Sequence, residues 1–289
     1  MAAAKTEKPV GYQDSKVVDT IFSVLKYAVL VIACLIVIIP LIVVFLGSFK
    51  SNTDFLTSSV FALPETIEWN NYKTAFIDGE VMEGFKNTLI ILVISCAGTI
   101  ITGTMTAYVL QRFKTTFGKV VKAAFLLATL LPNISMQVTV YRIVNHFGLV
   151  GTMAAPIILY IGTDIISIYI FIQFLNNISY SLDESAIMDG ASYFTVFFRI
   201  IFPLLKPAIA TVLIIKIVGI YNDFYTPHLY MGASKPVVST ALYNFIGPYG
   251  AKWEIIFAGI VICIIPTLII FLTLQKYIYN GLVNGSVKE

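Results

Sequence analysis

The chain has 289 residues, 58% of them hydrophobic and only 12% charged. Soluble domains carry roughly 25% charged residues, so this composition excludes an ordinary soluble domain and points to a bilayer. The net charge of +3 comes from 19 Lys and Arg against 16 Asp and Glu. The basic residues are spread over several short loops, so the net charge gives no pointer to nucleic acid, and none is expected as a partner; the expected surroundings of so apolar a chain are membrane lipid.

Residues 1–20 are mixed polar and charged. The apolar run after them is too long for the core of a signal peptide, and no small-x-small cleavage site follows, so it is expected to stay as a first span. A membrane helix needs about 20 mostly apolar residues. Six stretches qualify: 22–47, 87–110, 120–140, 154–175, 204–226 and 254–275. Pro40, Pro132 and Pro266 fall inside three of them, a placement that spans tolerate because neighbouring helices satisfy the freed carbonyls. The runs do not alternate as barrel strands do. The expected fold is an all-α membrane protein of six transmembrane helices. Cys34, Cys96 and Cys263 lie within apolar runs without nearby His and read as small buried hydrophobes rather than metal ligands.

Lys and Arg set the orientation. Lys5, Lys8, Lys16 and Lys26 sit before or at the first span, and Arg112, Lys114, Lys119 and Lys122 fill the 111–122 connection. Arg199 and Lys206 lie in 176–206, and Lys276 and Lys288 in the tail. The 48–86 connection opposes Lys50, Lys73 and Lys86 with Asp54, Glu65, Glu68, Asp78, Glu80 and Glu83. The N-terminus, 111–122, 176–206 and the C-terminus are therefore expected on the cytoplasmic side. Trp69, Trp253 and the tyrosines near span ends suit the interfacial belts.

The cytoplasmic stretch 176–206 carries the sharpest local pattern. Ser181 and Asp183 read as an N-cap, followed by a short helix, Gly190 as a bend, a second helix, and Pro203 before the fifth span. Its polar side carries Asp183, Glu184 and Asp189. Helices that lie on lipid favour Lys and Arg on that side, so a protein-docking role is preferred. Small residues at 185, 186, 190 and 191 would allow close approach, and Glu184 could pair with a partner's Arg or Lys.

Several chemistries are missing from the sequence. There is no GxxxxGK[ST] loop, no GxGxxG, no GxSxG and no HExxH. His146 and His228 are isolated, which argues against a zinc site. With no nucleophile–base or metal constellation, the chain is not expected to be an enzyme; energy for any pumped transport must come from another chain or an ion gradient.

Asp164 and Lys216 fall near the middle of the fourth and fifth spans. A lone charge there costs a few kcal/mol or more, so the two are expected to pair across adjacent helices, either as an interhelical clasp or as a polar lining of a transport path. At the end of the fifth span, Tyr221-Asn222-Asp223-Phe224-Tyr225 combines aromatic faces with amide and carboxylate groups. That combination suits either a carbohydrate ligand or an interfacial belt and helix cap.

The 184–203 pattern resembles the coupling loop of ATP-binding-cassette (ABC) import permeases, Glu-Ala-Ala-x-x-x-Gly, nine residues, Ile-x-Leu-Pro. Glu184, Ser185, Ala186, Gly190, Ile200, Phe202 and Pro203 stand at the matching positions, with departures at Ser185 and Phe202. From about residue 84 onward the chain is similar to the carbohydrate-importer branch: Asn87-Thr88, Ala107-Tyr108 with Arg112, Gly148-Leu149, Tyr221-Asn222-Asp223-Phe224, and the ending from Gln275 to Lys288.

The resemblance implies a type I ABC importer permease fold, with an N-terminal arm, first span and outer loop over 1–83, a core of spans 2–6 over 84–275, and a cytoplasmic tail over 276–289. It implies residence in a prokaryotic cytoplasmic membrane. It also implies a second permease, two ATPase subunits that hold ATP and Mg, and an extracytoplasmic sugar-binding protein. Glu184, Ser185, Ala186, Gly190 and Pro203 would dock on an ATPase, and Gly285, Ser286, Val287 and Lys288 would reach between the ATPases. Tyr221, Asn222, Asp223, Asp164 and Lys216 are the candidate substrate path. The competing expectation is an ion-coupled secondary transporter, a class marked by internal repeats and intramembrane carboxylates.

Overall fold

A computed structural model describes residues 14–162, 164–232, 235–248 and 250–286. The apolar run near the N-terminus forms one long helix, α1 (Asp14–Gly47), which passes through Pro40. The 48–86 connection then folds into α2 (Asn52–Thr57) and α3 (Asn70–Asp78). Ser51 starts α2 by accepting a hydrogen bond from the Asp54 amide at 3.1 Å.

The central element is α4 (Val81–Arg112). One side of it is small and polar: Gly84, Ser95, Thr99, Gly103, Thr104 and Ala107 are all buried. Small faces let helix backbones approach closely in a bilayer, where packing rather than the hydrophobic effect holds helices together. Three groups of helices pack on α4: α7 (Ala154–Gly162), α8 (Ile165–Leu175) and α12 (Lys206–Asn222). Between α4 and α7 run α5 (Thr116–Leu130) and α6 (Asn133–His146). Leading into α12 come α9 (Ser181–Met188), α10 (Tyr193–Thr195), a π-helical stretch at Val196–Ile201, and α11 (Phe202–Leu204). After α12 come α13 (Tyr225–Met231), a 3-10 turn at Ala241–Phe245, and a two-strand hairpin of β1 (Ile246–Gly247) and β2 (Gly250–Ala251). The long α14 (Trp253–Ser286) ends the described chain.

Among the described residues, four helices are long and apolar enough to cross a membrane, or up to six if each of two bent pairs is one span. The expected third span, 120–140, is one of those pairs: α5 and α6 meet at 112°. Pro disfavours the helical region for the residue before it, and Leu131 is extended at ψ 129. The fifth span is straight from Lys206, but the helical stretch before it joins at 71°. The fourth is interrupted between Gly162 and Ile165. Cys34 is exposed on α1, contrary to the buried role expected for it, while Cys96 is buried and Cys263 half-buried.

The 48–86 connection is tied down by buried polar groups. Lys50 donates to Ser58 Oγ and to the Ser59 carbonyl, both at 2.7 Å. The Asn71 amide donates to the carbonyls of Ser48 and Lys50 at 3.0 and 2.8 Å. At the head of α4, the Asn87 amide donates to the Pro236 carbonyl at 2.8 Å, and Thr88 Oγ1 accepts from the Val238 amide at 3.0 Å. The Asn-Thr pair thus stitches the start of α4 to the segment that follows α13.

Gly84 sits in the same seam: a Cβ there would lie 3.2 Å from the Val237 carbonyl carbon, whereas one on Gly219 would meet nothing within 4 Å. Gly84→Val should therefore destabilise the protein by about 1–3 kcal/mol through overpacking against backbone. Gly219→Ala should be neutral or slightly stabilising. Thermal unfolding in detergent checks the pair, and equal midpoints for the two variants would contradict the close approach at Gly84.

Candidate functional site

Two clusters of functional side chains stand apart in the structure, one at the foot of α4 and one around the break in the fourth span. The first contains the 184–203 stretch. Tyr180, not Ser181, occupies the N-cap of α9, and no side chain caps it. Glu184 and Ser185 are exposed, and Ala186 is half-buried against the core. The helix stops at Gly190, whose φ of +85° is a conformation L side chains rarely adopt. Ser192 then caps the next turn by accepting from the Thr195 amide. The π-helical stretch lies directly before exposed Pro203, whose ring in a regular helix would clash with the carbonyl four residues earlier.

The acid beside Glu184 has a different fate. Asp183, expected on the polar outer side, points inward and is buried. One of its oxygens lies 3.1 Å from Arg112 Nη2, with the side chains 3% and 7% exposed, and the other accepts from the Tyr108 hydroxyl at 2.8 Å. Consecutive helical residues point about 100° apart, so one acid faces the bundle and the next faces outward. Around Glu184 the outer surface is apolar: Leu182, Met188, Phe194 and Phe198 are exposed, Met188 by 86%. On the inner side, Tyr108, Phe171, Leu175, Phe197, Ile201 and Leu205 form one core that joins this stretch to α4 and α8.

The second cluster lies in the apolar belt. The structure brings Asp164 and Lys216 together at 3.0 Å, 11% and 13% exposed. Asp164 also caps α8, accepting from the Ser167 amide at 3.2 Å and from its hydroxyl. Lys216 donates to the Tyr160 carbonyl at 2.6 Å, near the end of α7. The ion pair therefore covers both open helix ends at the break, with opposite charges at the dipole ends they suit. Tyr160 adds a link absent from the sequence reading: its hydroxyl donates to Asp223 at 2.9 Å. No local spacing signals it, since Tyr160 and Asp223 are 63 residues apart in the chain. Asp223 in turn caps α13 through the Thr226 amide at 3.1 Å.

Tyr221 and Asn222 stand apart from that network. Both line a cavity of about 640 Å³ between α12 and α14, walled by residues such as Ile217, Phe224, Leu242 and Ile264. The Tyr221 hydroxyl donates to the Cys263 carbonyl at 2.8 Å, and the Asn222 amide to the Val218 carbonyl at 2.9 Å. Gly285 and Ser286 lie at the described end of α14, while Val287 and Lys288 lie outside the described residues.

Residues 9–283 match the family model described as a binding-protein-dependent transport system inner membrane component. The chain belongs to this family. It is a transport subunit rather than an enzyme. A probable starch degradation products transport system permease protein of Thermoanaerobacterium thermosulfurigenes is 30% identical over 90% of this chain and 94% of its own. The melibiose/raffinose/stachyose import permease protein of Bacillus subtilis (strain 168) is 32% identical over 86% and 91%. The multiple sugar-binding transport system permease protein of Streptococcus mutans is 31% identical over 91% and 96%. In fold, the chain is similar to a crystal structure of a bacterial ABC transporter that imports the acidic polysaccharide alginate, with a TM-score of 0.76, 22% identity, and coverage of 93% of this chain and 99% of that one.

In this inner membrane component the Asp164–Lys216 pair should behave as one unit. Breaking a buried pair by removing one partner costs about 3–5 kcal/mol. Asp164→Asn or Lys216→Ala should each lower the thermal midpoint in detergent, and the double variant should cost less than the sum. Simple additivity would contradict the pairing.

Proposed function

We propose that this chain is the permease subunit of an ABC importer that carries carbohydrate, of the oligosaccharide class, across a prokaryotic cytoplasmic membrane. The observation that carries this reading is the family match over residues 9–283 together with relatives whose names specify starch degradation products, melibiose, raffinose and stachyose. An ion-coupled secondary transporter gains no support from these comparisons, and the mid-membrane carboxylate Asp164 is already occupied by Lys216 and Ser167.

In this reading the chain crosses the membrane six times, each bent pair counting as one span, with both termini in the cytoplasm. The positions of Lys and Arg support that orientation. The first span has no buried residue in its apolar window, which leaves it free to meet lipid and a second permease subunit. Two ATPase subunits supply ATP hydrolysis and hold Mg, and an extracytoplasmic binding protein selects the sugar.

Glu184 and Ser185 present the polar part of the ATPase-docking face, Met188 and Phe194 its apolar part, while Ala186, Gly190 and Pro203 give the segment its shape. The tail residues Gly285, Ser286, Val287 and Lys288 reach the ATPases. Tyr221 and Asn222 line the sugar path, where aromatic walls with sparse polar groups suit a sugar. Asp164, Lys216 and Asp223 hold that path in shape: each is committed to partners within the bundle.

Closure of the ATPase dimer on ATP then moves the docking helix, and the spans rock between two states whose balance nucleotide shifts. Glu184→Lys places a like charge against a basic partner and should abolish co-purification of the ATPase subunits and uptake, leaving membrane insertion intact. Normal uptake by that variant would refute the docking role. For cargo, the binding protein should gain thermal stability with one of maltotriose, melibiose, raffinose or stachyose by mass action; vesicles should accumulate that sugar only with ATP, and accumulation on an ion gradient alone would overturn the reading.

A further inference from the structure

We propose that Arg112, Asp183 and Tyr108 form the joint through which the docking helix α9 drives the long span α4. This rests on the proposed docking role of α9. They are positioning residues, with no contact to cargo or nucleotide.

The geometry carries the proposal in three ways. First, the adjacent acids of α9 divide the work: Glu184 is exposed, while Asp183 is buried and held by Arg112 at 3.1 Å and by the Tyr108 hydroxyl at 2.8 Å. Second, the foot of α4 also grips the turn that leads into α9. Arg112 Nη2 donates to the Ile178 carbonyl at 3.1 Å, its guanidinium lies 5.5 Å from the Tyr180 ring centroid, and Gln111 donates to Asn176. The turn and the first turn of α9 are thus fixed to one end of one helix. Third, the joint is dry. A pair that is almost wholly buried has no water to replace a lost partner, so separating it leaves an uncompensated charge. A push on the outer side of α9 therefore carries α4 with it instead of sliding the two apart.

That link is not supplied by the chain itself. Covalently, α9 follows α8 and precedes the turns that lead to α12; α4 lies a full connection and four helices earlier. The side chains of Arg112 and Tyr108 add to the shared apolar core the directed polar contacts that tie the docking helix to α4.

The test uses the complete transporter in proteoliposomes with its binding protein, and as probe the sugar among maltotriose, melibiose, raffinose and stachyose that wild-type vesicles accumulate fastest. The readout is sugar moved per ATP hydrolysed, alongside ATPase subunits recovered with the permease. Asp183→Asn and Arg112→Gln should keep the ATPase subunits bound and lower the ratio about tenfold, within the range of couplings between sites. The double variant should be no worse than the worse single, since the two act as one unit. Tyr108→Phe, which keeps the ion pair, should lower the ratio less.

A merely structural role would reduce recovered complex, hydrolysis and uptake in proportion and leave the ratio unmoved; that result, or additive losses, overturns the proposal. If Asp183→Asn fails to reach the membrane, Arg112→Lys decides. It keeps the charge but lacks the planar guanidinium that lies over the Tyr180 ring while its Nη2 meets Asp183 and the Ile178 carbonyl, so an unchanged ratio there is equally fatal. Glu184→Lys separates the two readings: retention of its ATPase subunits would sink the docking role, whereas an unchanged ratio in Asp183→Asn with docking intact would sink only the joint.

Discussion

Close approach of backbones along α4 is the constraint on which the bundle depends. In hydrocarbon, apolar side chains gain little by leaving lipid for one another, so packing and interhelical hydrogen bonds have to hold the helices. A face of Gly, Ser, Thr and Ala answers that need. Gly103 leaves room for the Phe171 ring, which a Cβ would meet at 3.1 Å. Hydroxyls on the same face bond within the helix or across it: Thr104 Oγ1 donates to the Ile100 carbonyl at 2.5 Å, and Thr99 Oγ1 to the Tyr160 carbonyl of α7 at 3.5 Å. The face stays narrow and polar, with Ser95 Oγ left without a hydrogen-bond partner among the described residues. Larger residues are kept for its two ends, where Ile91 and Tyr108 anchor separate cores.

Where helices break in the belt, the same solvent forces local compensation. An open helix end inside hydrocarbon leaves backbone groups that no water can reach, each costing several kcal/mol. Around the interruption of the fourth span, Asp164 covers the amides that begin α8, and Lys216 covers the carbonyl of Tyr160. The cost of burying each charge is offset by the other and by the backbone groups it satisfies. Because the lysine comes from α12, closing the break also fixes α12 against α7 and α8. A polar repair in one span becomes a tertiary contact between two.

Much of this was legible in the residues, and the rest depends on distance. The apolar runs located the membrane helices, since length and composition alone decide whether a segment can cross. The meeting of Asp164 and Lys216 was legible because two lone mid-membrane charges of opposite sign have few ways to survive. The bend between α5 and α6 was not. Pro132 allowed a kinked span as well as a broken one, and which of them forms depends on neighbours that can satisfy the freed carbonyls. Asp183 was misassigned for a similar reason. Two adjacent acids on a short helix look alike in sequence, and only the position of Arg112 decides which one turns inward. Its counterpart was visible as a basic residue in the facing connection, but sequence spacing does not say that the two loops touch.

These features make the α9 end of the bundle and the apolar belt parts of one packed unit. The core that includes Tyr108 and Phe171 also contains Leu205 and Val212, so the turns before α12 pack on the same foot of α4 that holds Asp183. Farther along, α12 carries Lys216 to the break in the fourth span and Tyr221 to the wall of the cavity. Between the two ends lies continuous helix from Lys206 to Asn222, without a glycine–proline hinge in its middle. This helix is packed closely at its foot and held near its middle by the ion pair, so the two contacts share one rigid element. Helices meet at a sharp angle at Leu205, just before α12, and at Pro132. Any displacement of α12 relative to α14 would therefore reshape the cavity beside Tyr221 and Asn222, which lies between them.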